Sequence, residues 1–425
     1  MKPSQIPKQS VSASSSSSPR LASAYPMDTA RHNLNANVLR RIHRSLSCLV
    51  DRHRMGQVCR AWRAAVAPQQ HPPQRPLPWI LVPSADGPSF SCALGGCATH
   101  DFRVPLDGLE ARYFGAYDGG WLFAAFGQTY DHAIVNLRTK NAFEIPDYTD
   151  RRAPGKFADK DIVMLATTLS SPPEHEDCIG AAIISFWPPK VDPHAHVFWR
   201  MGHRAAAVMP TATDQGIGGT ALQDVIHHNG AFYFLTRQEN LHVFAVSEFH
   251  QDDDGELKMA PMKIRWLNGA HDYRSNVVVR YLVESRGRLL MVARLVHYPL
   301  PVPPKTWAFR VFEMVELPQE DVTGSEETQY AWNELASLDG RILFLARGCS
   351  RCYEVADYPG LEFSDGIYFL DDGRLHDDGK MLRNATYPCI DSGKWLAAAN
   401  AVPRVDNFLP EQRPSKYSPP AWLLP

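Results

Sequence analysis

Gly230-Ala-Phe-Tyr-Phe-Leu235 is a short apolar run that begins directly after a turn glycine, and the recurrence of this arrangement decides the fold. Similar runs begin at Gly120, Gly180, Gly287 and Gly340, so that the five glycines are separated by 60, 50, 57 and 53 residues in chain order. Glycine supplies the positive φ that tight turns require, and a short apolar run bounded by turn residues is typical of a buried strand. A unit of this kind that recurs about every 50 residues predicts a β-propeller.

Further apolar segments flank these runs and predict additional strands. Second strands are predicted at Leu241–Val246, Phe309–Met314 and Cys352–Val355, and lead-in strands at Leu222–Ile226, Val277–Val283 and Trp332–Leu338. The segment before Gly180 has the composition of a loop, which makes it the weakest member of the series. The stretch from Trp79 to about Asn400 has room for about six units. We therefore predict an all-β main domain, residues 79–425, that forms a propeller of about six blades.

Three zones with different compositions precede this domain. Residues 1–30 are rich in serine and predict a disordered tail, whereas residues 68–78 are rich in proline and predict a stiff linker. Residues 31–67 contain no proline and show helical periodicity. We predict a small all-α module there, with Asp51 as the N-cap of its second helix.

The helical module has two apolar faces and a strong positive charge. One face consists of Val38, Leu39, Ile42 and Leu46, and the other of Met55, Val58, Cys59, Trp62 and Val66. Residues 31–67 include eight arginines and one acid, Asp51, although the whole chain has a net charge of −2. So small a module has little interior to fill, so its apolar surplus indicates an interface, and its charge indicates an acidic partner.

Residues 34–67 resemble the F-box, a helical module that opens with Leu-Pro and ends in Val-Cys-(Arg/Lys)-x-Trp-Arg. The ending is present as Val58-Cys-Arg-Ala-Trp-Arg63, and Asn35 stands where the family usually has proline. The resemblance implies docking to the small acidic adaptor of a cullin–RING ubiquitin ligase. The residues predicted to contact this adaptor are Leu34, Val38, Leu39, Ile42, Leu46, Val58, Cys59 and Trp62.

The main domain resembles the plant-type "domain of unknown function 295", a β-propeller that is common behind F-boxes. The resemblance rests on five segments: Tyr113–Trp121, Val135–Thr139, Gly340–Leu345, Gly366–Asp371 and Pro419–Pro425. Together the two resemblances imply a substrate-recognition subunit of an SCF-type ligase. In this interpretation the propeller binds a target protein, which the sequence does not identify, and the chain is not itself an enzyme.

Two alternatives depend on the N-terminal residues. Residues 1–27 are basic, rich in serine and free of acids, as a plastid or mitochondrial transit peptide would be, although they lack an amphipathic arginine pattern. The chain would then be a propeller-based binding protein or enzyme of an organelle, with a degenerate F-box. The arginines of residues 31–67 are compatible with nucleic-acid binding, but they interleave with the apolar faces and form no recognition-helix motif.

Other candidate motifs predict neither a metal nor a cofactor. Cys349-Ser-Arg-Cys352 has the spacing of zinc ligands but no second pair close by, and the His194/His196 and His227/His228 pairs have no carboxylates at fixed spacing. The glycine-rich segment Asp214–Thr220 lacks the Lys-Ser/Thr ending of a phosphate-binding loop. The scattered cysteines and the absence of a long apolar run predict a soluble protein of the cytoplasm or nucleus, without membrane contact.

Overall fold

The structure is a computed structural model, and it describes the greater part of the chain in segments. The described residues are 34–46, 48–67, 75–84, 86–92, 97–100, 110–149, 161–187, 194–203, 205–210, 221–253, 255–267, 271–273, 277–297, 305–317, 329–358, 364–372, 386–396, 404–406, 409 and 412–425.

Three short helices come first among the described residues. They are α1 (Ala36–Ser45), α2 (Leu49–Gln57) and α3 (Arg60–Val66). Leu39, Met55 and Ala65 form a small buried core between them, one residue from each helix. The N-cap of α2 is Cys48, so the prediction that Asp51 is the cap is wrong. Asp51 lies in the first turn of α2, where its negative charge complements the positive end of the helix dipole.

The remaining described residues form a six-bladed β-propeller, as the sequence predicted. Blade 1 contains β1 (Trp79–Val82), β2 (Ser89–Cys92) and β3 (Cys97–His100), and blade 2 contains β4 (Arg112–Tyr117), β5 (Trp121–Ala125), β6 (His132–Asn136) and β7 (Ala142–Glu144). Blade 3 contains β8 (Tyr148–Thr149), β9 (Asp161–Leu169), β10 (Ile179–Trp187), β11 (Ala195–Arg200) and β12 (Ala205–Pro210). Blade 4 contains β13 (Leu222–His228), β14 (Ala231–Thr236), β15 (Leu241–Ala245) and β18 (Lys263–Arg265), with the small hairpin of β16 (His250–Gln251) and β17 (Leu257–Lys258) beside them, and blade 5 contains β19 (Val277–Ser285), β20 (Arg288–His297), β21 (Lys305–Glu316) and β22 (Tyr330–Glu334).

Blade 6 has five strands: β23 (Arg341–Leu345), β24 (Arg351–Glu354), β25 (Gly366–Phe369), β26 (Gly393–Leu396) and β27 (Arg404–Asp406). The last strand of the chain, β28 (Ala421–Leu423), returns to blade 1 and pairs antiparallel with β1. Pairing of the first and last propeller strands in one sheet closes the ring of blades by backbone hydrogen bonds.

Apolar side chains fill the spaces between adjacent blades. Between blades 3 and 4, for example, Phe198 of β11 packs against Phe234 of β14 and Phe244 of β15, and all three are fully buried. Similar clusters lie between the other neighbouring blades. Burial of these side chains is the main favourable term in the stability of the propeller.

The turn glycines fulfil the sequence prediction at four of five positions. Gly120, Gly230, Gly287 and Gly340 have φ between 74° and 87°; the first three precede the second strands of their blades, and Gly340 precedes β23, the first strand of blade 6 in the chain. Gly180 is different, because it lies inside β10 and pairs with Leu169 and Trp199. The prediction of a turn there is wrong; the space for a side chain at Gly180 is occupied by the ring of buried Trp199.

Blade 6 departs from the order of the other blades. The predicted lead-in strand at Trp332–Leu338 is wrong as a partner of β23, because its first residues belong to β22 at the outer edge of blade 5. The neighbours of β23 are instead β24, which follows it in the chain, and β25, which runs parallel to it. β24 takes the inner position and packs against β19 of blade 5.

The connection between β23 and β24, residues 346–350, crosses the centre of the propeller. The Gly348 amide donates a hydrogen bond of 2.7 Å to Asp224 of blade 4, and Gly348 also lies against the Thr167 backbone of blade 3. The neighbouring Arg347 lies next to blade 2, because a Cβ built on Gly115 of β4 would be 3.9 Å from the Arg347 carbonyl oxygen. A segment that starts in blade 6 and reaches blades 2, 3 and 4 must fill the axial channel. We call residues 346–350 the axial plug.

Candidate functional site

Four large apolar side chains of the helical module face solvent. Leu34, Val38, Ile42 and Val58 are exposed to 41%, 45%, 38% and 57%. Val38 and Ile42 lie one turn apart on the same side of α1, and Leu34 comes one residue before the N-cap of that helix; we call these three the apolar stripe. Val58 lies between α2 and α3. A row of exposed apolar side chains on a small module is typical of a surface that binds a partner.

The other predicted adaptor contacts have structural positions within the module. Leu39 is buried in the module core, and Leu46 and Trp62 pack against that core. Cys59 is the N-cap of α3, and its Sγ accepts a hydrogen bond of 3.5 Å from the Trp62 amide. The structure thus divides the eight predicted residues into an exposed group and a group that holds the helices together.

Asn35 fixes the beginning of α1. Its side-chain oxygen accepts a hydrogen bond of 2.8 Å from the Asn37 amide, which makes Asn35 the N-cap of the helix. Asparagine is among the best capping residues, because its side chain satisfies an amide that has no partner within the helix. At the position where the F-box resemblance predicts proline, Asn35 thus defines the start of α1 by a side-chain hydrogen bond.

The helical module packs directly on the propeller. Cys48 is buried in the same apolar cluster as Tyr358 and Leu77, and Val50 packs against this cluster. The Tyr358 hydroxyl donates a hydrogen bond of 2.6 Å to the Arg75 carbonyl, near the end of the predicted linker. Contacts from both the helices and the linker hold the module in one orientation relative to the propeller.

A cleft of about 680 Å³ opens on the propeller face next to this junction. Residues at the C-terminal ends of the inner strands β4, β9, β13 and β19 line it, together with β24 and the Tyr358 side chain. Ser350 of the axial plug also lines it. We call this space the axial cleft. Its volume lies within the range of ordinary ligand pockets.

Charged side chains on the wall of the axial cleft form two clusters. Arg286 makes a bidentate contact with Glu354, at 2.9 and 2.7 Å, and a further hydrogen bond of 2.7 Å to Asp339. In the second cluster Asp118 accepts hydrogen bonds from Arg75 and Arg351. Burial alone would raise the pKa of Asp118, but the two guanidinium groups outweigh it and hold that pKa below its usual value.

The cysteine pair of the sequence analysis has the properties of buried thiols. Cys349 is buried in the axial plug, and burial raises its pKa to about 12. Burial also raises the pKa of Cys352, whose Sγ lies 3.3 Å from Ser285 Oγ. Thiolates are the metal-binding form, so these protonated thiols are poor ligands. Among the described residues, no group of three or more His, Cys, Asp or Glu side chains is arranged to hold a metal ion.

The histidine pairs of the sequence also separate in the structure. His196 is fully buried, and its ring pairs with His242 of the neighbouring blade, at 3.0 Å, rather than with His194. His196 Nδ1 faces the Met209 carbonyl at 3.3 Å, so Nδ1 carries the proton and Nε2 accepts from His242 Nδ1. His227 lines the axial cleft, whereas His228 is buried beside it. The glycine-rich segment Asp214–Thr220 lies outside the described residues.

The axial cleft was not among the sites predicted from the sequence, although the turn pattern contains the necessary signal. Asp118 and Arg286 each occur within two residues before a turn glycine, at the end of the first strand of a blade. Equivalent turns of different blades lie on the same face of a propeller, so residues next to these glycines are brought together.

In the described part of the chain, no helix is long and apolar enough to cross a membrane.

Comparisons with known proteins identify the family of the main domain. Residues 89–390 match the family described as KIB1-4 beta-propeller. No curated protein matches the sequence significantly. This match lies within the propeller and does not include the helical module, so the resemblance of residues 34–67 to the F-box, and the name of the second resemblance, remain predictions.

Several solved structures are also similar. They include the extracellular domain of the putative hybrid two component system BT4673 from B. thetaiotaomicron, which is 10% identical, with 54% of this chain and 26% of that chain covered and a TM-score of 0.27. The major Malassezia sympodialis allergen Mala s 1 is 8% identical, with 72% and 91% covered and a TM-score of 0.22. A complex of KlAtg21 with the coiled-coil of AgAtg16 is 12% identical, with 66% and 95% covered and a TM-score of 0.28. The chain spans about a quarter of the length of the first of these, and scores this low support no conclusion about function.

The family match and the six blades agree on the architecture. A β-propeller of this kind suits a protein-binding role, because loops at the ends of its blades converge on broad faces. The match to residues 89–390 spans more than half of the chain, and the protein therefore belongs to the KIB1-4 beta-propeller family.

Proposed function

We propose that this protein is the substrate-recognition subunit of an SCF-type cullin–RING ubiquitin ligase, in which the helical module binds the acidic adaptor and the propeller binds a target. The observation that carries the proposal is the apolar stripe. Leu34, Val38 and Ile42 remain exposed although the module has its own core of Leu39, Met55 and Ala65. These side chains are therefore available to fill a groove on a partner, Val38 and Ile42 from one face of α1 and Leu34 from just before that helix.

The charge of the module supports the same partner. Arg41, Arg44, Arg54, Arg60 and Arg63 are exposed, and Asp51 is the only acid within residues 34–67. An acidic adaptor would be attracted to this surface, and the attraction would weaken as the salt concentration rises. In this proposal the chain contributes binding and orientation, and it performs no chemical step itself.

The structure shows which substitutions test the proposal. Leu39→Ala or Trp62→Ala would damage the core of the module, so a loss of binding in these variants would not distinguish contact from unfolding. Val38→Asp and Ile42→Asp change exposed side chains and should leave the helices folded. Trp266→Ser is a suitable control, because Trp266 is 58% exposed and lies in the propeller.

The experiment is a binding titration of purified full-length protein with the purified adaptor. Burial of one large aliphatic side chain contributes about 1.5–3 kcal/mol, so the Val38→Asp/Ile42→Asp variant should bind at least about a hundredfold more weakly. The Trp266→Ser variant should bind like the wild type. If the wild type fails to bind the adaptor, or if the double variant binds equally well, the proposed function is wrong.

A further inference from the structure

The axial cleft has a closed floor, which distinguishes it from an open channel. The axial plug crosses beneath it and is fixed at Gly348 by the hydrogen bond to Asp224, a fully buried carboxylate. The same carboxylate accepts a hydrogen bond of 2.8 Å from the Leu282 amide of blade 5. A ligand that enters from the face next to the helical module would therefore meet a surface of fixed shape.

The arginines of the axial cleft are all paired with carboxylates of the protein, three guanidinium groups with three carboxylates. Arg286 is held by Glu354 and Asp339, and Arg75 and Arg351 are both held by Asp118. An anionic ligand would have to compete with these carboxylates for each guanidinium group. The cleft is therefore a poor site for a phosphate or an acidic peptide.

Two carboxylates on the lining have no arginine or lysine partner among the described residues: Glu284 and Asp357. The Glu284 side chain is 53% exposed, and its Oε2 lies 3.6 Å from Nδ1 of the buried His228. That distance is longer than a hydrogen bond, and this ring nitrogen has no hydrogen-bond partner among the described residues. Glu284 thus has acceptor capacity directed into the cleft.

Aromatic rings beside these carboxylates also favour a cation. Tyr117, Tyr353 and Tyr358 line the cleft. The guanidinium of Arg75 lies 5.2 Å from the centre of the Tyr353 ring, so this wall already binds one cationic side chain of the protein itself. The faces of aromatic rings attract lysine and arginine side chains over such distances.

We propose that the axial cleft binds a lysine- or arginine-bearing segment of a target protein, with Glu284 and Asp357 as the acceptors of its positive charge. The identity of the ligand as a target segment rests on the proposed function; the preference for a basic peptide rests on the cleft alone. A basic side chain would direct its charge towards these carboxylates and its aliphatic part towards the half-buried Tyr117.

The test is a fluorescence-anisotropy titration of the purified full-length protein with three labelled glycine–serine peptides of equal length. One carries lysine and arginine, one carries aspartate and glutamate, and one is uncharged. The basic peptide should bind most tightly. Its affinity should fall by at least about tenfold in Glu284→Gln and again in the double variant with Asp357→Asn, because each removes a charge-assisted contact. Asp253→Asn, an exposed carboxylate in the turn between β16 and β17, should change nothing.

Equal binding of the three peptides, or basic-peptide binding that survives both substitutions, would overturn the inference. The adaptor titration of the wild type, repeated with Glu284→Gln, separates this result from the proposed function. In the wild type, peptide binding without adaptor binding would leave the cleft assignment intact and remove its role in a ligase. Adaptor binding without selective peptide binding would leave the proposed ligase role intact and remove the assignment of the cleft as a site for basic peptides.

Discussion

Replacing Gly348 with alanine tests the passage of the axial plug through the centre of the propeller. At this residue φ is +67°, and a Cβ built on the backbone would lie 2.4 Å from the Thr167 carbonyl oxygen and 2.6 Å from the Thr167 nitrogen. Both atoms belong to the backbone of the inner strand β9, so neither can move away as a flexible side chain would. The alanine variant must therefore displace the plug or the strand.

The expected cost has three contributions. A non-glycine residue with positive φ costs about 1–2 kcal/mol, and an extra methyl group in a packed interior about 1–3 kcal/mol. Displacement of the plug also weakens the hydrogen bond from Gly348 to the Asp224 carboxylate, a type of contact with a net value of about 1.5–3 kcal/mol. Displacement of the plug relieves the steric clash of the methyl group and at the same time weakens the hydrogen bond, so these two contributions do not add in full. We therefore expect the free energy of unfolding to fall by roughly 3–5 kcal/mol.

Gly287→Ala is the matched control. Gly287 has a φ of +74°, but a Cβ there would meet nothing within 4 Å, so only the backbone term applies. Urea unfolding, followed by the fluorescence of the ten tryptophans, gives both values. If Gly348→Ala loses no more stability than Gly287→Ala, the axial plug does not lie against β9 as described.

Three further substitutions test other buried contacts. In Asp224→Asn the side chain retains only one acceptor oxygen, so either the Leu282 or the Gly348 backbone amide loses its partner. The free energy of unfolding, measured in urea, should therefore fall by about 1.5–3 kcal/mol. Asp253→Asn is the control and should change it by less than about 0.5 kcal/mol. The pKa values of His196 and His242 are lowered by burial to about 3 and about 4 from 6.5, so the unfolded chain takes up protons that the folded chain does not, and stability falls as the pH drops from 6.5 towards 4. His242→Gln should make this decline shallower by up to about 1.4 kcal/mol per pH unit. The exposed His250→Gln should leave the slope of stability against pH unchanged. An unchanged slope in His242→Gln would contradict the lowered pKa of His242. In Gly180→Ala the new Cβ would lie 2.1 Å from the buried Trp199 ring. The free energy of unfolding should fall by about 1–3 kcal/mol, so thermal unfolding should occur at a lower temperature than in the wild type. An unchanged unfolding midpoint would show that the ring does not cover this glycine.

The periodic part of the fold was predictable from the sequence. A two-residue turn with positive φ, as at Asn229-Gly230 and Arg286-Gly287, suits the twist of antiparallel strands, and the apolar runs around it identify the strands. Gly180 was misassigned because glycine also occurs where a neighbouring ring needs the space of a side chain. Only the tertiary position of Trp199 distinguishes the two cases.

Blade 6 shows a limit of a different kind. Trp332–Leu338 has the composition of a strand before a turn glycine, and its first residues are indeed in a strand, but they pair with β21 of blade 5. Strand composition reports burial in a sheet and not which sheet. The strand that becomes the inner neighbour of β23 depends on the axial plug, because the plug brings β24 into the inner position. No local sequence pattern near Gly348 indicates its long-range contact with Asp224.

The candidate site was predictable by residue type and not by exposure. Periodicity placed Val38, Leu39, Ile42 and Leu46 on one face, yet Leu39 is buried and Val38 is 45% exposed. In a three-helix module an apolar arc is wide enough to serve both the core and a partner, and the boundary between the two uses depends on how the helices cross. That crossing is fixed by contacts such as Leu39 with Met55, which the sequence of α1 alone does not contain.

Tyr358 connects the two surfaces on which the proposals depend. Its ring lies in the apolar cluster that includes Cys48 of the helical module, its hydroxyl bonds the Arg75 carbonyl, and its side chain also lines the axial cleft. A target held in the cleft would thus be bound next to the point where the helical module packs on the propeller. Ubiquitin transfer requires a target lysine to be held within reach of the catalytic partner, and a fixed spacing achieves this without the entropic cost of ordering a linker in each cycle. A receptor built in this way would select targets by the distance between their basic segment and the lysine that is modified, as well as by the basic segment itself.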